Sequence, residues 1–167
     1  MKNLCFYCLL FVGMGFYSCK KNQNENVIKT NDIQTEKPID IQCYKAYYEQ
    51  DTVDLKINTL KNGKVTGDMV MKFFKMPVKI GKIAGEFHGD TLLASYTFIQ
   101  GTDKKITFKN PMAFLKRGEQ LILGNGKMQT TMGATYFVKG EPIDFERVKF
   151  KFSAVPCVAE KAAALSE

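Results

Sequence analysis

A period of two runs through the middle of this chain, broken at short intervals by turn residues. Val53, Leu55 and Ile57 alternate with Asp54, Lys56 and Asn58. Successive side chains of an extended strand point to opposite faces, so this alternation describes a sheet with one buried side. Asn62-Gly63 follows and predicts a two-residue type I′ turn, after which Val65 opens the next run. Met69, Met71 and Phe73 share one face, with Asp68, Val70 and Lys72 on the other. Ile83, Gly85 and Phe87 carry the pattern into a turn at His88-Gly89-Asp90. Thr91 to Ile99 is apolar or β-branched on both faces, which predicts the most buried strand there. Gly124-Asn125-Gly126 predicts another turn, and Arg147 to Ser153 alternates as a final strand.

No long amphipathic helix interrupts the series. Pro111 and Gly118 sit where a short helix over 110–118 would start and stop. Ala113 and Leu115 alternating with Met112 and Phe114 favour a strand instead. Short strands separated by turns predict an all-β fold: a single antiparallel β-barrel or barrel-like sandwich of calycin or lipocalin size. Closure into a barrel has the advantage of leaving no exposed strand edge.

Residues 41–158 hold this pattern, one domain's worth of chain. The segment before them is different. One early charge, Lys2, precedes an apolar run from Leu4 to Tyr17, long enough for a signal-peptide core and short for a bilayer span. Residues 1–18 therefore read as a leader. Residues 19–40 are polar and Asn-rich, as in Asn22-Gln23-Asn24-Glu25-Asn26, and read as a flexible tether spanning roughly 25 Å. Residues 159–167 form a short tail.

Gly15-Phe16-Tyr17-Ser18-Cys19-Lys20 resembles a bacterial lipobox, in which a small residue precedes a cysteine that becomes diacylglyceryl-modified. Phe16 and Tyr17 depart from the usual aliphatic and small residues, as in the relaxed lipoboxes of Bacteroidota-type lipoproteins. The resemblance implies lipid attachment at Cys19, with palmitate-type acyl chains. Each buried methylene contributes about 0.8 kcal/mol, so several chains anchor a protein permanently. The plainer alternative is a secretory signal cut nearby, leaving Cys19 a free thiol.

Cys5 and Cys8 belong to the leader, and Cys43 and Cys157 remain in the domain. An even remainder in an exported chain reads as one disulfide. Cys43 and Cys157 are distant in sequence and form no C-x-x-C motif with each other, which disfavours a redox pair.

From Gly81 to Phe98 the chain reads G-x-I-x-G, then Gly89-Asp90-Thr91-Leu92. With Cys43-Tyr44 at the start of the domain and a cysteine near its end, it resembles small Bacteroidota-type envelope lipoproteins of unassigned function. The resemblance covers most of the domain and implies an envelope location and a β fold. It implies no activity.

Few residues offer reaction chemistry. His88 is the only histidine, which excludes multi-histidine metal sites, and its place in a turn beside Gly89 suits a solvated side chain. Gly124-x-Gly126 lacks the helix and the Lys-Thr pair of a phosphate loop. Methionine thioethers can hold Cu(I), and Met69, Met71, Met128 and Met132 are the positions for it; core filling is the competing role. No other metal and no cofactor is expected.

Charge carries the remaining signal. The formal net charge is +7, or +6 without Lys2. Asp32 to Asp54 is acidic, Lys61 to Lys82 is basic, and Gly101 to Lys127 carries Lys104, Lys105, Lys109, Lys116 and Arg117. Clustered cations beside a membrane favour anionic headgroups or phosphorylated envelope polymers. Nucleic acid does not belong to that compartment, and lysozyme inhibition is disfavoured because lysozymes are themselves commonly cationic. The expectation is a non-enzymatic envelope lipoprotein, anchored by lipid at the outer membrane rather than the inner, with a binding or structural role. Its alternatives are a lipocalin-like carrier of a small apolar ligand and a methionine-based metal-handling protein.

Overall fold

The structure is a computed structural model and describes residues 36–157. The leader, Cys19, most of the tether expected over 19–40 and the C-terminal tail lie outside the described residues. Strands are β1 (Asp40–Tyr48), β2 (Asp51–Thr59), β3 (Lys64–Lys72), β4 (Lys79–His88), β5 (Thr91–Gln100) and β6 (Phe108–Arg117). They continue as β7 (Gln120–Leu123), β8 (Asn125–Gly126), β9 (Met128–Thr131), β10 (Ala134–Phe137), β11 (Ile143–Asp144) and β12 (Lys151–Val155). Among the described residues there is no helix. Eight strands close an antiparallel barrel in the order β1-β12-β7-β6-β5-β4-β3-β2. The expected β class is therefore realised as the closed barrel.

Alternation decides which side chains enter. Val53, Leu55 and Ile57 of β2 and Val65, Met69 and Met71 of β3 face the interior with Ile83, Leu92, Phe114, Leu121 and Phe152. Residues 110–117 are strand, as their alternation favoured, with Met112 and Phe114 inward, and Gly118 begins the turn that follows. No polar or charged residue is buried among the described residues. β5 corrects one expectation. It is not the most buried strand: Leu92, Tyr96 and Phe98 point inward, but Leu93 on the outer wall is 40% exposed. Thr91, Thr97 and Ile99 on that outer face reflect β propensity, which does not require burial on both sides.

Turn chemistry holds at some sites and differs at others. Gly89-Asp90 joins β4 to β5, with Gly89 at φ +64°. At Asn62-Gly63 the loop has three residues, not two. Gly63 N–H donates to Leu60 O (3.0 Å), Leu60 N–H donates to Lys64 O (2.9 Å), and only Gly63 of the loop takes positive φ. Such a loop is a turn followed by a left-handed glycine, the commonest three-residue hairpin connection.

Gly124-Asn125-Gly126 is not a turn. After Leu123 the chain leaves the barrel for an excursion over 124–150 that contains the small sheets β8–β11 and β9–β10. A Cβ on Gly124 would lie 2.4 Å from Ile143 and 2.6 Å from the Phe145 ring, and one on Gly126 would lie 2.7 Å from the Phe137 ring. These glycines serve close packing of one layer on another. Beneath the excursion, Ala113 and Ile122 point away from the core and are still buried. The final strand accordingly starts late, at Lys151. Glu146 and Arg147 instead form a bend whose N–H groups donate to Asp144 Oδ1 (2.8 and 3.1 Å), bonds that hold the Asp144 carboxyl below its ordinary range.

Tyr96 ties three strands together. From β5 its hydroxyl reaches past β4 to donate to the carbonyl of Met69 on β3 (3.0 Å). Burial pushes the phenol pKa well above its ordinary 10. Tyr96→Phe should therefore cost about 1 kcal/mol at neutral pH, the net value of one buried hydrogen bond. An unfolded phenol ionises above pH 10 and the folded one resists, so the wild type loses stability as pH rises beyond 10, by about 1.4 kcal/mol per unit. Urea midpoints at pH 7 and pH 11 check this: the gap between wild type and Tyr96→Phe should close at the higher pH.

Candidate functional site: the lysine and aromatic mouth of the barrel

The two ends of the barrel differ. One, the base, carries the short connections Lys61–Gly63, Gly89-Asp90 and Gly118-Glu119, together with the Cys43–Cys157 bond. The other, the mouth, carries the longer loops over 73–78 and 101–107 beside the corner at Glu49-Gln50. Side chains with inward parity at the mouth are mostly aromatic. Phe73 stacks on Phe150 at 5.9 Å, and Tyr48 meets Phe150 edge-on at 6.1 Å. On the opposite side Tyr96, Phe98 and Phe108 form a continuous stack, with centroids 4.7 and 5.4 Å apart.

Lysines sit on these rings. Lys79 pairs with Met71 and Gln100, so it points inward, and its ammonium lies 5.3 Å from the Phe73 ring and 5.4 Å from the Phe98 ring. Lys149 lies 5.2 Å over Tyr48, and Lys75 lies 5.0 Å over Phe74. Each such contact contributes about 0.5–1 kcal/mol at an exposed site and consumes none of the ammonium donors. Ion pairs elsewhere bind Lys45 to Asp54, Lys82 to Asp68 and Lys127 to Glu141. Lys75, Lys79, Lys104, Lys105 and Lys149 make no ion pair among the described residues. Lys61, Lys64 and Lys116 at the base are also without an ion pair, so what sets the mouth apart is that its unpaired lysines lie over aromatic rings.

Acidic groups at the mouth hold its loops. Asp51 Oδ1 accepts from the Phe74 N–H (2.7 Å), and Asp103 Oδ1 accepts from the Lys105 N–H (2.8 Å). The first loop turns through a bond from Met76 N–H to Phe73 O (3.0 Å), with Lys75 at φ +54°. A lysine there costs about 1 kcal/mol relative to glycine, so the turn holds its lysine against backbone preference. The two loops meet where Gly101 N–H donates to Val78 O (2.8 Å). Between them Pro77, Gln100, Asp103, Ile106 and Phe108 line an open recess of about 300 Å³.

The five cations singled out in the sequence do not form one patch. Lys104, Lys105 and Lys109 lie at the mouth, whereas Lys116 and Arg117 close the same strand, β6, at the base. Seven residues of strand separate Lys109 from Lys116, about 23 Å at the usual rise. Arg117 is moreover engaged by Glu146 (2.7 Å), which raises the guanidinium pKa and lowers that of the carboxyl. Lys75, Lys79 and Lys149 were missed individually. Lysines adjoining aromatics, as in Phe73-Phe74-Lys75 and Lys149-Phe150, were the available signal.

The methionine candidates also separate. Met69 and Met71 are packed in the core, while Met128 is 45% exposed and Met132 fully exposed on the outer β9–β10 hairpin, so the barrel wall stands between the pairs. His88 is exposed at the base, 3.2 Å from Glu86. No three His, Cys, Asp or Glu side chains converge as metal ligands among the described residues. Tyr96 and Phe98 are buried in the core cluster and stacked on each other. No protein-family model, no curated protein and no solved structure matches this chain.

Proposed function

We propose that this protein is a non-enzymatic envelope lipoprotein, held through lipid on Cys19 at the outer membrane, whose barrel mouth binds an anionic envelope component. One observation carries the reading: lysines left without acidic partners gather over aromatic rings at a single end of the barrel. The first strand begins at the base, so the tether joins the end away from that face. A packed interior favours surface binding over the carrying of an apolar ligand inside. Rigid barrels that present loops at one end commonly bind there.

Binding of the chain from Lys20 onward to dextran sulfate, a soluble anionic polymer, tests the face. Joint replacement Lys104→Glu and Lys105→Glu should weaken binding by roughly tenfold or more, since each lysine near an anionic surface contributes about 1 kcal/mol. Lys116→Glu, at the base, should leave it unchanged. Equal losses from the two ends would refute a mouth-specific site.

A further inference from the structure

Among the described residues, four large apolar side chains stand exposed where the mouth's two longer loops meet the solvent. Phe74 is 53% exposed, Met76 51%, Ile106 55% and Phe108 44%. Phe74 and Met76 flank Lys75, while Ile106 follows Lys104-Lys105 and Phe108 precedes Lys109. The Gly101–Val78 hydrogen bond joins the two loops at the rim, Pro77 shares a recess with Ile106 and Phe108, and Asp51 fixes the Phe74 backbone, so both loops leave the same end of the barrel from fixed points. A hydrophilic anionic polymer has use for the lysines and none for the apolar tips. A bilayer with anionic headgroups uses both: ammonium groups meet phosphates, and the apolar side chains enter the boundary between headgroups and acyl chains.

We infer that the mouth docks on an anionic bilayer surface, with Phe74, Met76 and Ile106 inserting and Lys75, Lys104 and Lys105 contacting headgroups. This rests on the proposal that the mouth is an anion-binding face and adds the partner's chemistry. Exposed apolar patches rimmed by polar residues mark such interaction sites. Snorkelling lysine stems cover the apolar boundary while their charges stay at the level of the phosphates. Docking through the mouth would be a second membrane contact, independent of the lipid on Cys19.

The absence of tryptophan makes the test direct. Phe74→Trp places the only indole of the chain at the loop tip. The chain from Lys20 onward, which lacks the anchor, is mixed with phosphatidylcholine vesicles containing or lacking phosphatidylglycerol. With the anionic lipid the expected results are a blue shift of the indole emission and co-flotation of protein with vesicles. Ile106→Ser in the otherwise native chain should weaken vesicle binding by about tenfold, from the lost burial of one large apolar side chain. Its binding to dextran sulfate should not change. Vesicle binding without a blue shift would overturn insertion. Polymer binding without vesicle binding would overturn this inference and leave the anion-binding face standing. Binding to neither would overturn both.

Discussion

Removing the Cys43–Cys157 bond is expected to lower stability by about 2–5 kcal/mol, the larger part by freeing the unfolded chain. The cysteines are 114 residues apart in sequence, so the bond closes nearly the whole barrel domain into one loop. It also lies at the barrel's seam. β12 pairs with β1 only at Cys43↔Val155, Tyr44↔Ala154 and Lys45↔Ser153, and with β7 only at Lys151↔Ile122 and Phe152↔Leu121. These are the shortest ladders among the eight barrel strands. Otherwise β12 is held by Phe152, fully buried and edge-on to Phe114 at 5.8 Å. Joint replacement Cys43→Ser and Cys157→Ser should lower the melting temperature by roughly 10 °C or more. Amide exchange should accelerate first in β12, because a strand with few backbone bonds opens below the global free energy. A variant whose melting temperature and β12 exchange match the wild type would show that the seam holds without its clasp.

The second large effect is expected at Gly81. It faces the barrel interior opposite Phe98, with Ile83 next on the same face opposite Tyr96. A Cβ built there would lie 2.1 Å from the Thr97 carbonyl oxygen, 2.6 Å from Phe98 Cα and 2.7 Å from Phe98 Cβ. These neighbours belong to the paired strand and cannot swing away as a flexible side chain would. Gly81→Ala must push β4 and β5 apart, at a cost of about 3 kcal/mol. Glycine at this point lets the sheet coil tightly enough to close. Ala84→Ser, outward-facing and exposed on the same strand, serves as the control and should change stability by less than about 0.5 kcal/mol. Urea midpoints of the two variants decide the matter. The displacement should also disturb the mouth, since Phe98 carries the stack beneath Lys79.

Gly81 also shows how far the sequence could be read. Its place in an alternating strand was legible, because a period of two records which face each residue takes. Its role was not, because a missing side chain matters only against a neighbour that the fold brings close. The same reason explains the error at Gly124 and Gly126. Glycines beside asparagine are what a turn uses, and nothing local reveals that Ile143, Phe145 and Phe137 will lie on top of them. Burial at Ala113 and Ile122 was hidden likewise, since an outward-facing position on a barrel is covered only if a distant segment returns to it.

By itself the sequence determined the β class, the run of antiparallel strands from Val53 to Phe98 and the partnership of Cys43 with Cys157. Each follows from local periodicity or from counting within one chain. Tertiary structure alone decided that the barrel closes through β12, that Lys104 and Lys116 lie at opposite ends, and that Lys75, Lys79 and Lys149 meet at the mouth. Charge along a sequence is a one-dimensional quantity. Strands that reverse direction at every turn send neighbouring residues to opposite ends and bring together residues separated by more than half the domain.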